Sequence, residues 1–138
     1  MNWQWSESSL KQLETCNPYL INLANRMLRA SFYDLKITCG FRNKQDQNEA
    51  FLEGNSQLKW PNSRHNRYPS RAFDFIVYKN GIQAWDDREL LATTRGIAYG
   101  IASELGIKLK PTIQWDLYHI ELADDFYPEL RWMNGSIQ

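Results

Sequence analysis

Residues 71–78, RAFDFIVY, decide the fold, because they form the clearest β-strand pattern in the chain and carry a carboxylate within it. Alternate side chains of a strand face opposite sides of the sheet, so Asp74 shares its face with Ala72 and Ile76. The other face is apolar and consists of Phe73, Phe75 and Val77. A carboxylate among apolar strand residues is costly to bury unless a partner or a metal ion compensates its charge. Asp74 therefore indicates a paired or metal-binding carboxylate, or else a surface position on an edge strand.

The segments on either side of this strand predict helices packed around a small sheet. Helices are expected over 6–16, from Asn17-Pro18 onward, over 43–53, and from Asp86 or Asp87 to Leu105. Further strands are expected over 34–39, 107–109 and 118–122, with a turn at Asn80-Gly81 and a long loop over 54–70. The predicted fold class is α+β, with a small, mainly antiparallel sheet and flanking helices.

Apolar residues at helical spacing predict which helix faces point to the core. The positions are Leu10 and Leu13 in the first helix, Leu20, Leu23, Ala24, Met27 and Leu28 in the second, and Leu90, Leu91, Thr94, Ile97, Ala98, Ile101 and Leu105 in the last.

Length and composition set limits on the class of protein. The chain has 138 residues, with 16 Lys+Arg balanced by 16 Asp+Glu, and we expect one domain over 1–138. A net charge of zero argues against a dedicated nucleic-acid binder. The N-terminus carries no signal-peptide pattern and no run of 18 apolar residues occurs, which predicts a cytoplasmic protein without membrane insertion. Cys16 and Cys39 are expected to be buried, small apolar residues in a reducing compartment.

The chain has two histidines, and each lies near carboxylates in sequence. His65 is in the long loop, nine residues before Asp74. His119 follows Asp116 by three residues and shares a strand face with Glu121. Two histidines and a carboxylate form a known catalytic zinc set, and a further carboxylate could act as general base. Taken singly, a histidine is more often a hydrogen-bonded structural residue than a metal ligand, and even the joint pattern leaves the metal site open.

Three short segments resemble the motifs of VanY-type zinc peptidases. SRH at 63–65 and AFD at 72–74 resemble the SxH and AxD motifs, and DLYHIEL at 116–122 resembles DxxHxEL. CGFR at 39–42 is similar to a further segment of the family, and the likeness covers roughly residues 9–122. Within the family, the sequence most resembles the small phage L-alanyl-D-glutamate peptidases. The resemblance implies the fold shared by D,D-peptidases and the hedgehog signalling domain, and leaves the tail over 123–138 unassigned.

The resemblance also implies roles for individual residues. His65, Asp74 and His119 become ligands of a zinc ion, and Asp116 becomes the catalytic carboxylate. Arg42 becomes a cation that binds substrate or stabilises the transition state. Ser63 is expected to be structural or to lie at the substrate cleft, and Glu121 is expected to orient a zinc ligand.

The implied function is zinc-dependent cleavage of the peptidoglycan stem peptide by a phage or prophage endolysin. Such a protein would be a monomer, made in the host cytoplasm and released to the wall by a holin. Two alternatives stay open from the sequence. One is a D,D-carboxypeptidase or dipeptidase of wall remodelling, and the other is a non-catalytic binding module on the same fold.

Overall fold

The computed structural model describes residues 2–111 and 116–128. Four α-helices flank a small antiparallel sheet in this part of the chain, which confirms the predicted α+β class. The elements are α1 (Glu7–Leu13), α2 (Pro18–Ala30), β1 (Asp34–Cys39), α3 (Lys44–Leu52), a 3₁₀ turn at Arg64–Asn66, β2 (Ala72–Lys79), β3 (Ile82–Gln83), α4 (Arg88–Leu105) and β4 (His119–Glu121). Among the described helices, none combines the length and the apolar composition that a membrane span requires.

Strand β2 is the centre of the antiparallel sheet. Strand β1 pairs along one edge of β2, whereas β3 and β4 pair with the other edge at its two ends. In this register Asp74 lies opposite Cys39 of β1 and opposite His119 of β4. The predicted turn between β2 and β3 is present, with positive φ at both Asn80 and Gly81, as a type I′ hairpin requires. The sheet therefore brings side chains from three strands to the position of Asp74.

The core lies on both faces of β2. Phe73, Phe75, Ile76 and Val77 are fully buried. Helix α2 packs its predicted apolar stripe into this core, and all five stripe residues are buried. Asn17 caps α2 through its side chain, and Pro18 occupies the first turn, where its missing N–H costs nothing.

Two predicted core faces are partly wrong. In α1, Leu10 is 53% exposed, because the helix turns Ser9 instead toward β1, where the Ser9 hydroxyl accepts a hydrogen bond from Ile37 N. In α4, Leu91, Thr94 and Ala98 are buried as predicted, but Ile97 is 37% exposed. Arg95 and Ala102 are buried on that helix and were not predicted to be. Apolar spacing identified both helices but not the polar contacts that set their rotation.

Helix α1 covers the free edge of β1. Gln12 Oε1 accepts a hydrogen bond from Gly40 N, and Thr15 Oγ1 accepts one from Phe41 N. These side chains satisfy donors at the end of an edge strand, which otherwise invites pairing with another chain. The approach is close: a Cβ added at Gly40 would overlap Gln12 O and lie 2.5 Å from Thr15 Oγ1.

Gly40→Ala is therefore expected to lower the free energy of unfolding by about 2–3 kcal/mol, since the new methyl group overlaps the backbone oxygen of Gln12, which cannot move aside without shifting α1. Gly96→Ala is the matched control, because Gly96 is exposed in α4 with no atom within 4 Å of its added Cβ. That control should raise stability by about 0.5–1 kcal/mol, as alanine favours helix over glycine. Urea unfolding of both variants measures the difference, and equal stabilities would contradict the proposed close approach.

Residues 123–128, to which the sequence assigns no role, pack against the residue that precedes β2. Arg71 Nη2 donates hydrogen bonds to Ala123 O (2.9 Å) and Phe126 O (2.7 Å). The Arg71 guanidinium also stacks over the Tyr127 ring, 3.9 Å from its centroid. Phe126 is buried, and its ring packs edge to face with that of Tyr19. Residues 123–128 thus belong to the packed structure, and the rest of the predicted tail, 129–138, lies outside the described residues.

Candidate metal centre and active site

Asp74 is the point on which the two histidines converge. His119 Nδ1 lies 2.9 Å from Asp74 Oδ1, and His65 Nε2 lies 3.4 Å from the same oxygen. The two imidazole rings meet edge to face, with centroids 5.1 Å apart. The structure therefore brings together the three residues that the sequence motifs predict as metal ligands.

His65 is held by the 3₁₀ turn that begins after Ser63. The Ser63 hydroxyl accepts a hydrogen bond from His65 N, which caps the turn, so Ser63 supports His65 through the backbone. On the ring, His65 Nδ1 lies 2.7 Å from Gly40 O. A carbonyl oxygen only accepts, so Nδ1 carries a hydrogen and Nε2 is the nitrogen that faces Asp74.

His119 is oriented in the same way by a carboxylate. Its Nε2 lies 2.9 Å from Glu121 Oε1, two residues along β4 on the same face. Glu121 in turn forms ion pairs with Lys110 (3.3 Å) and Arg64 (3.8 Å). A carboxylate on the outer nitrogen fixes the tautomer of a metal-binding histidine and leaves the other nitrogen free to coordinate. Here the free nitrogen is Nδ1, the one that faces Asp74.

The charges of the site are strongly coupled. Burial alone lowers the pKa of both histidines, but nearby carboxylates outweigh it. Asp74 raises the pKa of His65 to about 10, and Asp74 together with Glu121 raises that of His119 to about 9. Burial raises the pKa of Asp74, but the two histidines outweigh it and hold that pKa well below its usual range. The carboxylate thus attracts positive charge to the point where the two ring nitrogens meet.

This donor set fits a zinc ion. Two imidazole nitrogens and one carboxylate oxygen are typical of catalytic zinc, which keeps a further position for water. Each histidine has its second nitrogen occupied by an acceptor, as metal-binding histidines usually do. A cation at this position would replace the protons that Asp74 otherwise holds on the two rings.

Cys39 is also near these ligands, contrary to its predicted role as a buried apolar residue. The donor atoms of Cys39, His65 and Asp74 lie within 4.8 Å of one another, and Cys39 is half-buried. Its Sγ is 3.7 Å from His65 Nδ1, the nitrogen that bonds Gly40 O rather than the one that faces Asp74. Cys16 matches the prediction, since it is buried, and burial raises the pKa of its thiol to about 12.

Asp116 lies at the start of the segment that leads into β4. It is half-buried, and burial raises the pKa of its carboxyl, against the opposing effect of His119. Arg95 of α4 fixes the backbone there by donating from Nη1 to Asp116 O at 2.7 Å. A carboxylate with a raised pKa is suited to accept a proton near neutral pH. The sequence did not predict that Arg95 holds the Asp116 backbone, because a single arginine among apolar helix residues gives no periodic pattern.

Arg42 lies on the other side of Asp74. Its Nη2 is 3.8 Å from Asp74 Oδ2, and its Nη1 donates to Gln47 Oε1 at 2.9 Å. The Arg42 backbone is tied to the metal-site turn, because Arg42 N donates to His65 O at 2.7 Å. The guanidinium is thus mostly buried next to the candidate ligands, with 17% of its side chain exposed.

Comparison with known proteins shows which family the chain belongs to. The family model described as phage L-alanyl-D-glutamate peptidase matches residues 1–130. The L-alanyl-D-glutamate peptidase of Escherichia phage T5 is 33% identical over 130 residues, which cover 92% of this chain and 94% of that protein. The crystal structure of the L-Ala D-Glu endopeptidase ChiX from Serratia marcescens matches in fold, with a TM-score of 0.72 and 21% identity over 97% of this chain and 95% of the other. The chain belongs to the phage L-alanyl-D-glutamate peptidase family.

Proposed function

We propose that this protein is a zinc peptidase that hydrolyses the L-alanyl–D-glutamate bond in peptidoglycan stem peptides. The family to which the chain belongs indicates which peptide bond is cleaved. The observation that carries the chemistry is the convergence of His65 Nε2 and His119 Nδ1 on Asp74 Oδ1. In this proposal His65, Asp74 and His119 hold the zinc ion, and Glu121 and the Gly40 carbonyl orient the two histidines.

Bound zinc supplies a Lewis acid that favours deprotonation of water at neutral pH and polarises a carbonyl. Asp116 accepts the proton of the attacking water, for which its raised pKa suits it, and then returns that proton to the leaving amine. The Arg42 guanidinium donates hydrogen bonds to the carbonyl oxygen as negative charge develops on it. Both histidines are occupied as ligands, so a carboxylate serves as the base.

We also propose that the enzyme acts as a monomer in host lysis and reaches the wall from the host cytoplasm through a holin-type pore. The phage family and the relative in phage T5 support the phage setting of this proposal. In this setting a chain of zero net charge depends on local cations such as Arg42 to bind an anionic wall.

Mass spectrometry of digested muropeptides tests the proposed reaction. The zinc-loaded protein should release peptides that begin with D-glutamate and leave L-alanine on the muramic acid. Chelator treatment should stop the reaction, and added zinc should restore it. Loss of a terminal D-alanine would instead identify a D,D-carboxypeptidase, and binding without any change in mass would identify a binding module. Either result would contradict the proposal.

A further inference from the structure

Gln47 of α3 is a fully buried polar side chain whose amide is completely used. Its Oε1 accepts hydrogen bonds from Arg42 Nη1 (2.9 Å) and Asn66 Nδ2 (3.0 Å). Its Nε2 donates to Ser56 Oγ (2.9 Å) and Leu58 O (2.6 Å). Two donors and two acceptors exhaust what an amide side chain can bond. Gln47 is 0% exposed and has no bonding capacity left for a substrate, so any effect on the reaction passes through its neighbours.

Asn66 connects Gln47 to the turn that carries His65. Besides its bond to Gln47, Asn66 Nδ2 donates to Arg42 O at 3.0 Å, and Asn66 Oδ1 accepts from Ser63 N at 3.0 Å. The two buried amides therefore form one network with both the backbone and the side chain of Arg42. A network in which every member is satisfied is rigid and specifies one arrangement of its groups.

The network determines where the Arg42 guanidinium stands. Asp74 attracts the guanidinium, yet Arg42 Nη2 remains 3.8 Å from Asp74 Oδ2, beyond hydrogen-bond distance, while Nη1 is bonded to Gln47. Without Gln47, the long side chain would be free to close on Asp74 or to turn to solvent. Either movement would remove donors from the place where the substrate carbonyl binds.

We propose that Gln47, braced by Asn66, is a positioning residue that holds the Arg42 guanidinium ready for the carbonyl oxygen of the scissile bond. This inference rests on the proposed function, because it assigns Gln47 a part in the same hydrolysis. Gln47 acts only through Arg42 and is not itself a catalytic residue.

Gln47→Met tests the proposal, since methionine has a similar length and cannot bond the guanidinium. We expect kcat on muropeptides to fall about 10- to 100-fold, with KM changed less than about twofold, because a small misplacement of a catalytic group costs rate. Gln45→Met is the matched control, because Gln45 lies on the same helix and is exposed. Its side chain donates a hydrogen bond to Glu49, which lies on the same helix. The control should keep the kcat and zinc content of the unaltered protein.

A double-mutant cycle separates positioning from general damage. If Gln47 acts through Arg42, adding Gln47→Met to Arg42→Met should cause almost no further loss of kcat. Losses that multiply, or an unchanged kcat in Gln47→Met, would overturn the proposal. Should Gln47→Met fail to fold, Ser56→Ala is the second variant, because it removes one acceptor of the Gln47 amide. It is expected to lower kcat roughly threefold in the protein that keeps Arg42, and to leave kcat unchanged when added to Arg42→Met. An unchanged kcat in the protein that keeps Arg42 would equally count against the proposal.

A readout that needs no activity distinguishes this inference from the proposed function. In ¹⁵N spectra of the guanidinium groups, rotation about the Arg42 Nε–Cζ bond should be hindered in the unaltered protein and in Gln45→Met, and free in Gln47→Met. If the unaltered protein cleaves no muropeptide, the proposed function fails. If it cleaves but Arg42 rotates equally in all three proteins, the positioning role fails alone.

Discussion

Replacing Asp116 by Asn is expected to lower kcat by about 10³-fold while leaving the zinc content of the protein unchanged. The amide has nearly the same shape as the carboxylate and keeps the backbone bond from Arg95, but it cannot accept the proton of the attacking water. Initial rates on muropeptides and metal analysis by mass spectrometry measure the two quantities on the same sample.

Asp86→Asn is the matched control for this variant, because Asp86 is an exposed carboxylate preceding α4 and lies outside the candidate site. Its rate should equal that of the unaltered protein. If Asp116→Asn keeps more than about a tenth of the original kcat, the assignment of Asp116 as the proton acceptor is wrong.

Replacing Asp74 by Asn is expected to remove both the metal and the activity. Asp74 Oδ1 is the atom that both histidine nitrogens approach, so the change removes one ligand and the negative charge that attracts a cation. The metal-free protein should lose about 3 kcal/mol of stability, because the nearby Arg42 and the two histidines lose their buried counter-charge.

Metal content after dialysis and urea unfolding in chelator test this prediction separately. Asp125→Asn is the control, since Asp125 is exposed and pairs only with Lys108 among the ion pairs of the described residues. It should retain about one zinc per chain and the original stability. A zinc-loaded Asp74→Asn protein with normal stability would show that Asp74 neither holds the metal nor balances the charge of the site.

Much of the fold could be predicted because local patterns determine it. The strand β2, the apolar stripe of α2, the start of α2 at Asn17-Pro18 and the cap of α4 each depend on a few neighbouring residues. The structure has all four, and of the two expected caps Asp86 and Asp87 it uses Asp87. The rotations of α1 and α4 could not be predicted in this way. Ser9 turns inward to bond Ile37 N, and Arg95 turns inward to bond Asp116 O, so each choice depends on a distant backbone atom.

In the candidate site too, local sequence patterns predict some residues, while long-range contacts determine others. Its histidines and carboxylates are candidates from their spacing, and their roles are predicted from the resemblance to a known family. The prediction that Cys39 is a buried apolar residue is wrong, because its position opposite Asp74 depends on the pairing of β1 with β2, which the sequence does not specify. The sequence predicts no role for Gln47 for a similar reason. Helix α3 has no apolar stripe, and the hydrogen-bond partners of Gln47 lie 5 to 19 residues away in sequence. Long-range hydrogen bonds of buried polar groups are what the sequence pattern leaves out.

X-ray absorption at the zinc edge of the loaded protein tests the central claim, a zinc centre of two histidines and Asp74, most directly. We predict a first shell of nitrogen and oxygen alone, at about 2.0–2.1 Å, with the scattering of two imidazole rings. The spectrum should be the same in Cys39→Ser, because Cys39 contacts the outer nitrogen of His65. A sulfur neighbour at about 2.3 Å that disappears in Cys39→Ser would contradict the account and make Cys39 a ligand.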